Sequence, residues 1–324
     1  MLARPWSDRR EGRHDDSMYQ LMTTVSVVVD DIDPAVATLC RTIGIPEPRP
    51  QSYRGGSGIR AVFCRVHPKY AVAPTFLELV AAAPGEDASA GAPLFPVETI
   101  AARQGDRAIK VHATEISMPE ATLLDLSEHL QGLGVPHGFV PSDRRERFFF
   151  GGDPAASYDW HADAGLTIEA GRTDHLGLPE EAFSAPADLP TDAQPHTMVR
   201  IVAREYLVED LDESLGILER NLRWTPSSVD EGDGYRRAVM PFSVPRSARL
   251  ELVQPTGPGR VADAYAQLGP GAWTIRVSVV DVDAKARDLA ERGTPFVFED
   301  GVLRPDPEST LRVPFEFVTA QTGG

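Results

Sequence analysis

The sequence predicts an α+β fold in which four β-α-β-β-β modules pair into two cup-shaped domains. Three observations predict it. At 324 residues the chain exceeds the roughly 250 to 300 residues at which a single core stops growing, so two domains are expected. Four segments repeat one pattern of strand, Asp-rich turn, helix and further strands. Between the second and third copies lies GRTDHLGLPEEAFSAPADLPTDAQPH, rich in Pro, Ala and acid and without helical or strand period, which marks a linker.

The first copy opens with TTVSVVVDDIDPAVATLCRTIGI, residues 23 to 45, followed by the strand candidates IRAVFCRVH and TFLELVAAAP. Val25, Val27 and Val29 share one face of its first strand, and Thr24, Ser26 and Val28 the other. The second copy runs from IKVHATEISMPEATLLDLSEHLQGLG through RRERFFFGG to GLTIEAG. The third begins VRIVAREYLVEDLDESLGILERNLRW and closes with RRAVMPFSV and ARLELVQP. The fourth spans WTIRVSVVDVDAKARDLAERG to VPFEFVTA. Every helix is entered through D-[IVL]-D or S-M-P-E, where Asp or Ser can cap it. VETIAARQ is expected to form a connecting helix between copies one and two, and RVADAYAQL another between copies three and four. These connections pair copy one with two and three with four. The resulting division is a disordered tail over 1–20, a first domain over 21–172, a linker over 173–195 and a second domain over 196–320.

Composition narrows the partners. A hydrophobic fraction of 42% beside 25% charged residues is that of an ordinary globular protein. The formal net charge of -16 repels phosphate backbones and anionic lipid, so neither nucleic acid nor membrane is an expected partner. No run approaches the roughly 20 apolar residues of a membrane span. The N-terminal stretch lacks the apolar core of a secretory signal, and Met18 is an alternative start. Cys40 and Cys64 form no CxxC pattern and are expected as buried thiols of a cytoplasmic protein.

The strings VVVDDIDPA, LVEDLDES and VVDVDAKA, each followed by a strand bearing LELV, LELVQP or FEFV, resemble modules of the vicinal oxygen chelate superfamily. This superfamily includes glyoxalase I, methylmalonyl-CoA epimerases, extradiol dioxygenases and the bleomycin resistance proteins. The resemblance covers nearly all of residues 22 to 320 and implies two glyoxalase-like domains, each a cup for a small oxygenated ligand. It also implies one divalent metal held by a His or Gln on a module's first strand and a Glu on its last. Such an ion suits imidazole and carboxylate ligands and keeps positions open for substrate oxygens.

The last-strand glutamates are Glu78, Glu169, Glu251 and Glu316. Counting back from the turns places Thr24, Lys110, Ala203 and Thr274 at the first-strand positions, and none is His or Gln. Ala203 and Thr274 also contradict the extradiol dioxygenase pattern. A shift of two residues brings His112 to that position in copy two, and Glu205 and Arg276 to it in copies three and four. Two readings follow for the first cup. In one, His112, Glu78 and Glu169 hold a divalent metal. In the other, Lys110 and His112 act as cations paired with Glu78 and Glu169 in a metal-free pocket. In the second cup, Glu205, Arg276, Glu251 and Glu316, with Arg249, suggest an Arg-carboxylate network or a grip on an anionic ligand.

Three functional classes fit these residues. One is an isomerase, epimerase or lyase acting by proton transfer next to a carbonyl, with Glu78 or Glu169 as base and His112 as acid or ligand. Another is a metal-free binding or resistance protein whose pocket is lined by Phe148, Phe149 and Trp160. The third leaves the C-terminal half as scaffold and dimer surface. A dioxygenase-like member with a non-standard metal site is a further alternative, and the protein is expected as monomer or homodimer. His161 is expected in an exposed loop at a cup rim, and Arg312 stands where epimerase-like relatives commonly have Gly.

Overall fold

A computed structural model describes residues 18–56, 59–67, 72–83, 107–140, 147–150, 160–173 and 193–320. Copy one contributes β1 (Leu21–Met22), β2 (Thr24–Val28), helix α1 (Ile32–Thr42), β3 (Tyr53–Gly56), β4 (Ile59–Cys64) and β5 (Phe76–Ala82). Copy two holds β6 (Thr114–Met118), α2 (Glu120–Leu133), β7 (His137–Val140), β8 (Arg147–Phe150), the one-turn α3 (Trp160–Asp163) and β9 (Ile168–Arg172). Copy three holds β10 (Met198–Leu207), α4 (Leu211–Leu222), β11 (Ser228–Gly232), β12 (Tyr235–Met240) and β13 (Arg249–Pro255). The expected connecting helix follows as α5 (Arg260–Leu268). Copy four then supplies β14 (Gly271–Val279), α6 (Val282–Glu291), β15 (Phe296–Glu299), β16 (Val302–Pro305) and β17 (Phe315–Thr319).

The Asp turns cap their helices as the sequence predicts. Asp31 accepts from the Asp33 N–H, Asp210 from that of Glu213, and Asp281 from those of Asp283 and Ala284. Each cap satisfies N–H groups that have no partner within the helix. Beyond the cap an apolar stripe sets the buried face; in α4 it is Leu211, Leu215, Leu218 and Leu222. Arg312 has φ 62°, a left-handed conformation that favours Gly.

In all four copies the first strand lies parallel to the last: β2 with β5, β6 with β9, β10 with β13 and β14 with β17. Copies three and four join through the antiparallel pair β10 and β14 into one eight-stranded sheet. Copies one and two form sheets of four and five strands, with β1 crossing to pair with β6. Where they meet, the Val28 N–H donates to the Lys110 carbonyl at 2.8 Å, and the His112 N–H to Ser26 Oγ at 3.1 Å.

The two halves are stitched by specific bonds. Tyr19 is buried, stacks on Trp224 with centroids 4.2 Å apart and donates its hydroxyl to the Leu222 carbonyl at 2.6 Å. Met18, Tyr19 and Gln20, which the expectation placed in a tail over 1–20, belong to the described structure, with the Tyr19 ring packed on the second half. Copy four meets copy one where Lys285 Nζ donates to the Ile43 carbonyl and Thr294 Oγ1 to that of Thr42. Copy two meets copy three through Thr114 Oγ1 and the Tyr206 hydroxyl, and through Asn221 Nδ2 donating to the His161 and Ala162 carbonyls. The linker residues 174–192 and the expected helix VETIAARQ lie outside the described residues. Cys64 is buried as expected, and burial pushes its thiol up to about 12. Cys40 is only partly buried, which corrects the expectation of two buried thiols. Among the described residues, no helix is long and apolar enough to cross a membrane.

Asp163 shapes the turn that leads from α3 into β9. It is fully buried, and its carboxylate accepts from the Gly165 and Ile168 N–H groups at 3.2 and 2.8 Å. Burial nevertheless pushes its carboxyl up to about 7, against the pull of those donors and of Arg107.

Two predictions follow from this packing. Tyr19→Ala should lower unfolding stability by about 3–5 kcal/mol in urea titrations, as for other buried aromatic truncations. Tyr19→Phe, which removes only the bond to Leu222, should cost about 1 kcal/mol. The folded value of Asp163 lies above its unfolded one. Its stabilising contribution is thus complete below about pH 4 and is lost as pH rises through about 7. Relative to wild type, Asp163→Asn should therefore gain stability steadily between those limits, and a pH-independent difference would contradict the assignment.

Candidate functional site

Parallel pairing of the first and last strand decides which side chains meet across each module. The partners of the four glutamates are Ser26 opposite Glu78, Glu115 opposite Glu169, Glu205 opposite Glu251, and Arg276 opposite Glu316. Leu250 and Leu252 flank Glu251 in sequence and are fully buried in the core beneath the helices, so alternation sends Glu251 to the opposite face. That face is the cup.

In the second cup Arg276 lies between three buried glutamates. Its guanidinium donates through Nε to Glu316 Oε2 at 3.0 Å, through one terminal nitrogen to Glu251 Oε2 at 3.4 Å, and through the other to Glu205 Oε1 at 2.5 Å. Four further arginines surround this core. Arg304 Nε and an Arg260 terminal nitrogen reach Glu316 Oε1 at 2.9 and 2.5 Å. Arg249 and Arg237 approach Glu251 at 3.1 and 3.6 Å. Burial opposes the charge on Arg276, but the carboxylates of Glu205, Glu316 and Glu251 overcome it and hold its pKa above the usual value. Burial also opposes ionisation of Glu316, yet Arg260, Arg276 and Arg304 outweigh it and keep that carboxyl below its ordinary range. At Glu205 burial wins over Arg276 and pushes the carboxyl up to about 7.

The first cup is different. Glu78, Glu115 and Glu169 are all buried, and Ser26 accepts the His112 N–H. His112 Nδ1 lies 3.9 Å from Glu78 Oε2, with both side chains about nine-tenths buried.

These positions correct the register read from sequence. Thr24 pairs with Phe76 and Ala203 with Arg249, while Thr274 precedes the residue level with Phe315; none faces a glutamate. The partners stand five residues before the N-caps Asp31, Asp210 and Asp281, at Ser26, Glu205 and Arg276, so the count was two residues too long. Glu205 and Arg276, reached by the two-residue shift, are indeed the facing pair members. In copy two the shift chose His112, but β6 begins only at Thr114, and Glu115 holds the facing position. Lys110 precedes that strand too, is partly exposed, and makes no ion pair among the described residues, so the cationic pairing expected of it is absent there. Sequence reasoning missed Ser26, Glu115 and the outer arginines Arg237, Arg260 and Arg304. A count of five from the cap residue would have found Ser26 but not Glu115, which stands four before Pro119, whereas the arginines come from strands and a helix whose approach only the folded chain reveals. His161 is exposed, as expected, but stands in the one-turn helix α3 rather than in a loop. The side chains of Phe148, Phe149 and Trp160 lie outside the described residues.

Among solved structures, a triple variant of 4-hydroxymandelate synthase from Streptomyces coelicolor aligns over 94% of this chain and 93% of its own, with 15% identity and a TM-score of 0.53. The chain has the vicinal oxygen chelate fold. Methylmalonyl-CoA epimerase from Mycobacterium tuberculosis aligns over 41% of this chain and 93% of its own, at 24% identity and a TM-score of 0.34. The Streptomyces coelicolor epimerase aligns over 38% and 98%, at 22% identity and a TM-score of 0.34. No protein-family model matches the sequence, and no curated protein matches it.

A divalent metal, which the vicinal oxygen chelate resemblance implies, does not fit the described residues. Arg276 occupies the point on which Glu205, Glu251 and Glu316 converge, and a dication there would face five guanidiniums. In the first cup His112 approaches Glu78, and no group of three His, Cys, Asp or Glu among the described residues could hold a metal ion. The expected ligand set of His112, Glu78 and Glu169 is thus not found as a metal-binding group among the described residues. Arg276→Met should destabilise the chain by about 3–5 kcal/mol, because it strands buried carboxylates. Arg249→Met, at a half-exposed side chain, should cost no more than about 1 kcal/mol. Paired chemical denaturation of both variants checks the contrast.

Proposed function

We propose that this protein binds a small oxygenated metabolite in its first cup and moves a proton at the carbon next to a carbonyl, as an isomerase, epimerase or lyase. The observation that carries this reading is the buried pair of His112 and Glu78, 3.9 Å apart, in a cup to which copy two brings the facing pair Glu115 and Glu169. The fold alone does not select a chemistry. What favours proton transfer is the donor set: carboxylates that can accept a proton from carbon, and an imidazole that can donate one to oxygen.

In the proposed step, a carboxylate from Glu78 or Glu169 takes the α-proton. The electron pair of the broken C–H bond moves onto the carbonyl oxygen, and an N–H of His112 stabilises the charge that develops there. Return of a proton to the same carbon completes an epimerisation; delivery elsewhere, or loss of a neighbouring group, completes an isomerisation or elimination. Burial strengthens these interactions by excluding water. No step passes through a metal.

The test is exchange of α-protons in D2O, followed by NMR for α-keto acids, β-dicarbonyl acids and acyl thioesters. One class should exchange above the buffer rate. Glu78→Gln or Glu169→Gln should slow that exchange by about 10²–10⁴, and His112→Gln should also slow it. If no class exchanges above buffer, the proposal fails.

A further inference from the structure

We infer that the second cup is a binding site for a small molecule bearing a doubly charged oxyanion, a phosphate ester or a dicarboxylate. The chain as a whole carries a formal charge of -16, yet five arginines converge on this face. Their internal partners are the three buried glutamates and Asp230, a half-exposed residue 3.6 Å from Arg237. Positive charge is therefore in surplus inside an acidic protein, and it grows when Glu205 takes a proton.

A purely structural network would match charge with charge. Here Arg276 already engages all three glutamates and suffices to hold them together. The outer four add like charge instead. Glu316 serves three guanidiniums, as does Glu251. Each outer arginine spends only part of its five-donor fork on the network, and Arg237 Nε is buried without a hydrogen-bond partner. Arg260 is held in place over the Trp273 ring, 4.5 Å from its centroid, and so is fixed as it enters the cup from the start of α5. Arg249 and Arg237 approach from the Glu251 side, Arg260 and Arg304 from the Glu316 side. An oxyanion between the two pairs would accept planar, charge-assisted bonds from both and relieve their mutual repulsion. The glutamates act as positioning residues that aim the guanidiniums rather than as contacts of the ligand.

The experiment is a thermal-shift and calorimetric titration of the full chain with inorganic phosphate, pyrophosphate and succinate, against chloride at matched ionic strength. A saturable upward shift with at least one of them is expected. A response to the phosphates alone assigns a phosphate ester, one to succinate alone assigns a dicarboxylate, and responses to both support the shared chemistry. The double variant of Arg249→Gln with Arg260→Gln should bind at least about tenfold more weakly, since each lost charge-assisted bond is a large fraction of such an affinity. Both positions are close to half-exposed, so the variant should still fold. Arg223→Gln, which breaks a distant surface pair with Asp125, should bind as wild type does. Absence of any shift beyond matched chloride overturns the inference, and so does wild-type affinity in the double variant. Glu169→Gln should leave the anion response unchanged, which keeps this test separate from proton transfer in the first cup.

Discussion

The parallel ladder between the first and last strand of each module is the constraint on which the rest of the structure depends. A parallel pair cannot be closed by a tight turn, so each module must send its chain through a helix and a hairpin before the last strand returns. That route covers one face of the sheet with a helix and leaves the other open. It also fixes which residues stand side by side. One residue five positions before the N-cap Asp meets the glutamate of the last strand in copies one, three and four. One register thus repeats in three copies, and copy two, one residue shorter, delivers the fourth facing pair.

What differs between the cups is the charge placed on this common frame. In the second, an arginine replaces one of the first-strand partners, and burial of three carboxylates becomes tolerable because one guanidinium bonds to each of them. Removing the arginine would leave the full desolvation cost of the acids with little in return. In the first cup the corresponding partner is Glu115, and Glu78 stands 3.9 Å from the imidazole of His112. The same backbone therefore carries an arginine-rich cup and one whose described buried charges are carboxylates beside an imidazole.

Much of the fold was legible in the sequence because it rests on local signals. The alternating valines of β2, the capping aspartates and the apolar stripe of α4 are each read from a few neighbouring residues, and all recur in the structure. The four last-strand glutamates were legible for the same reason. The first-strand partners were misplaced because register is a property of two strands about fifty residues apart, and a slip of two residues keeps every side chain on its expected face. Periodicity cannot detect that error. Copy two added another difficulty, since Pro119 rather than Asp occupies its N-cap and Glu115 stands only four residues before it. The outer arginines were illegible for a different reason. Arg237, Arg260 and Arg304 lie on β12, α5 and β16, and only the curvature of the sheet and the placement of α5 bring them to Glu251 and Glu316.

The joints between the halves carry the same logic one level up. Copy one meets copy four through carbonyls at the end of α1, which accept from Lys285 and Thr294, while copy two meets copy three through Thr114, Tyr206 and Asn221. Tyr19 and β1 reinforce this by leaving copy one altogether: β1 pairs with copy two, and Tyr19 packs on Trp224 of copy three. Polar groups at these joints are satisfied across the boundary rather than within a module, so separating the halves would expose apolar surface and break buried hydrogen bonds together. Thr114 and Tyr206 neighbour Glu115 and Glu205 in sequence, so alternation sends these joint side chains to the opposite face of β6 and β10 from the glutamates. Side chains that join the halves and glutamates that line the cups thereby occupy different faces of the same strands, which lets cup residues change sign without disturbing that packing.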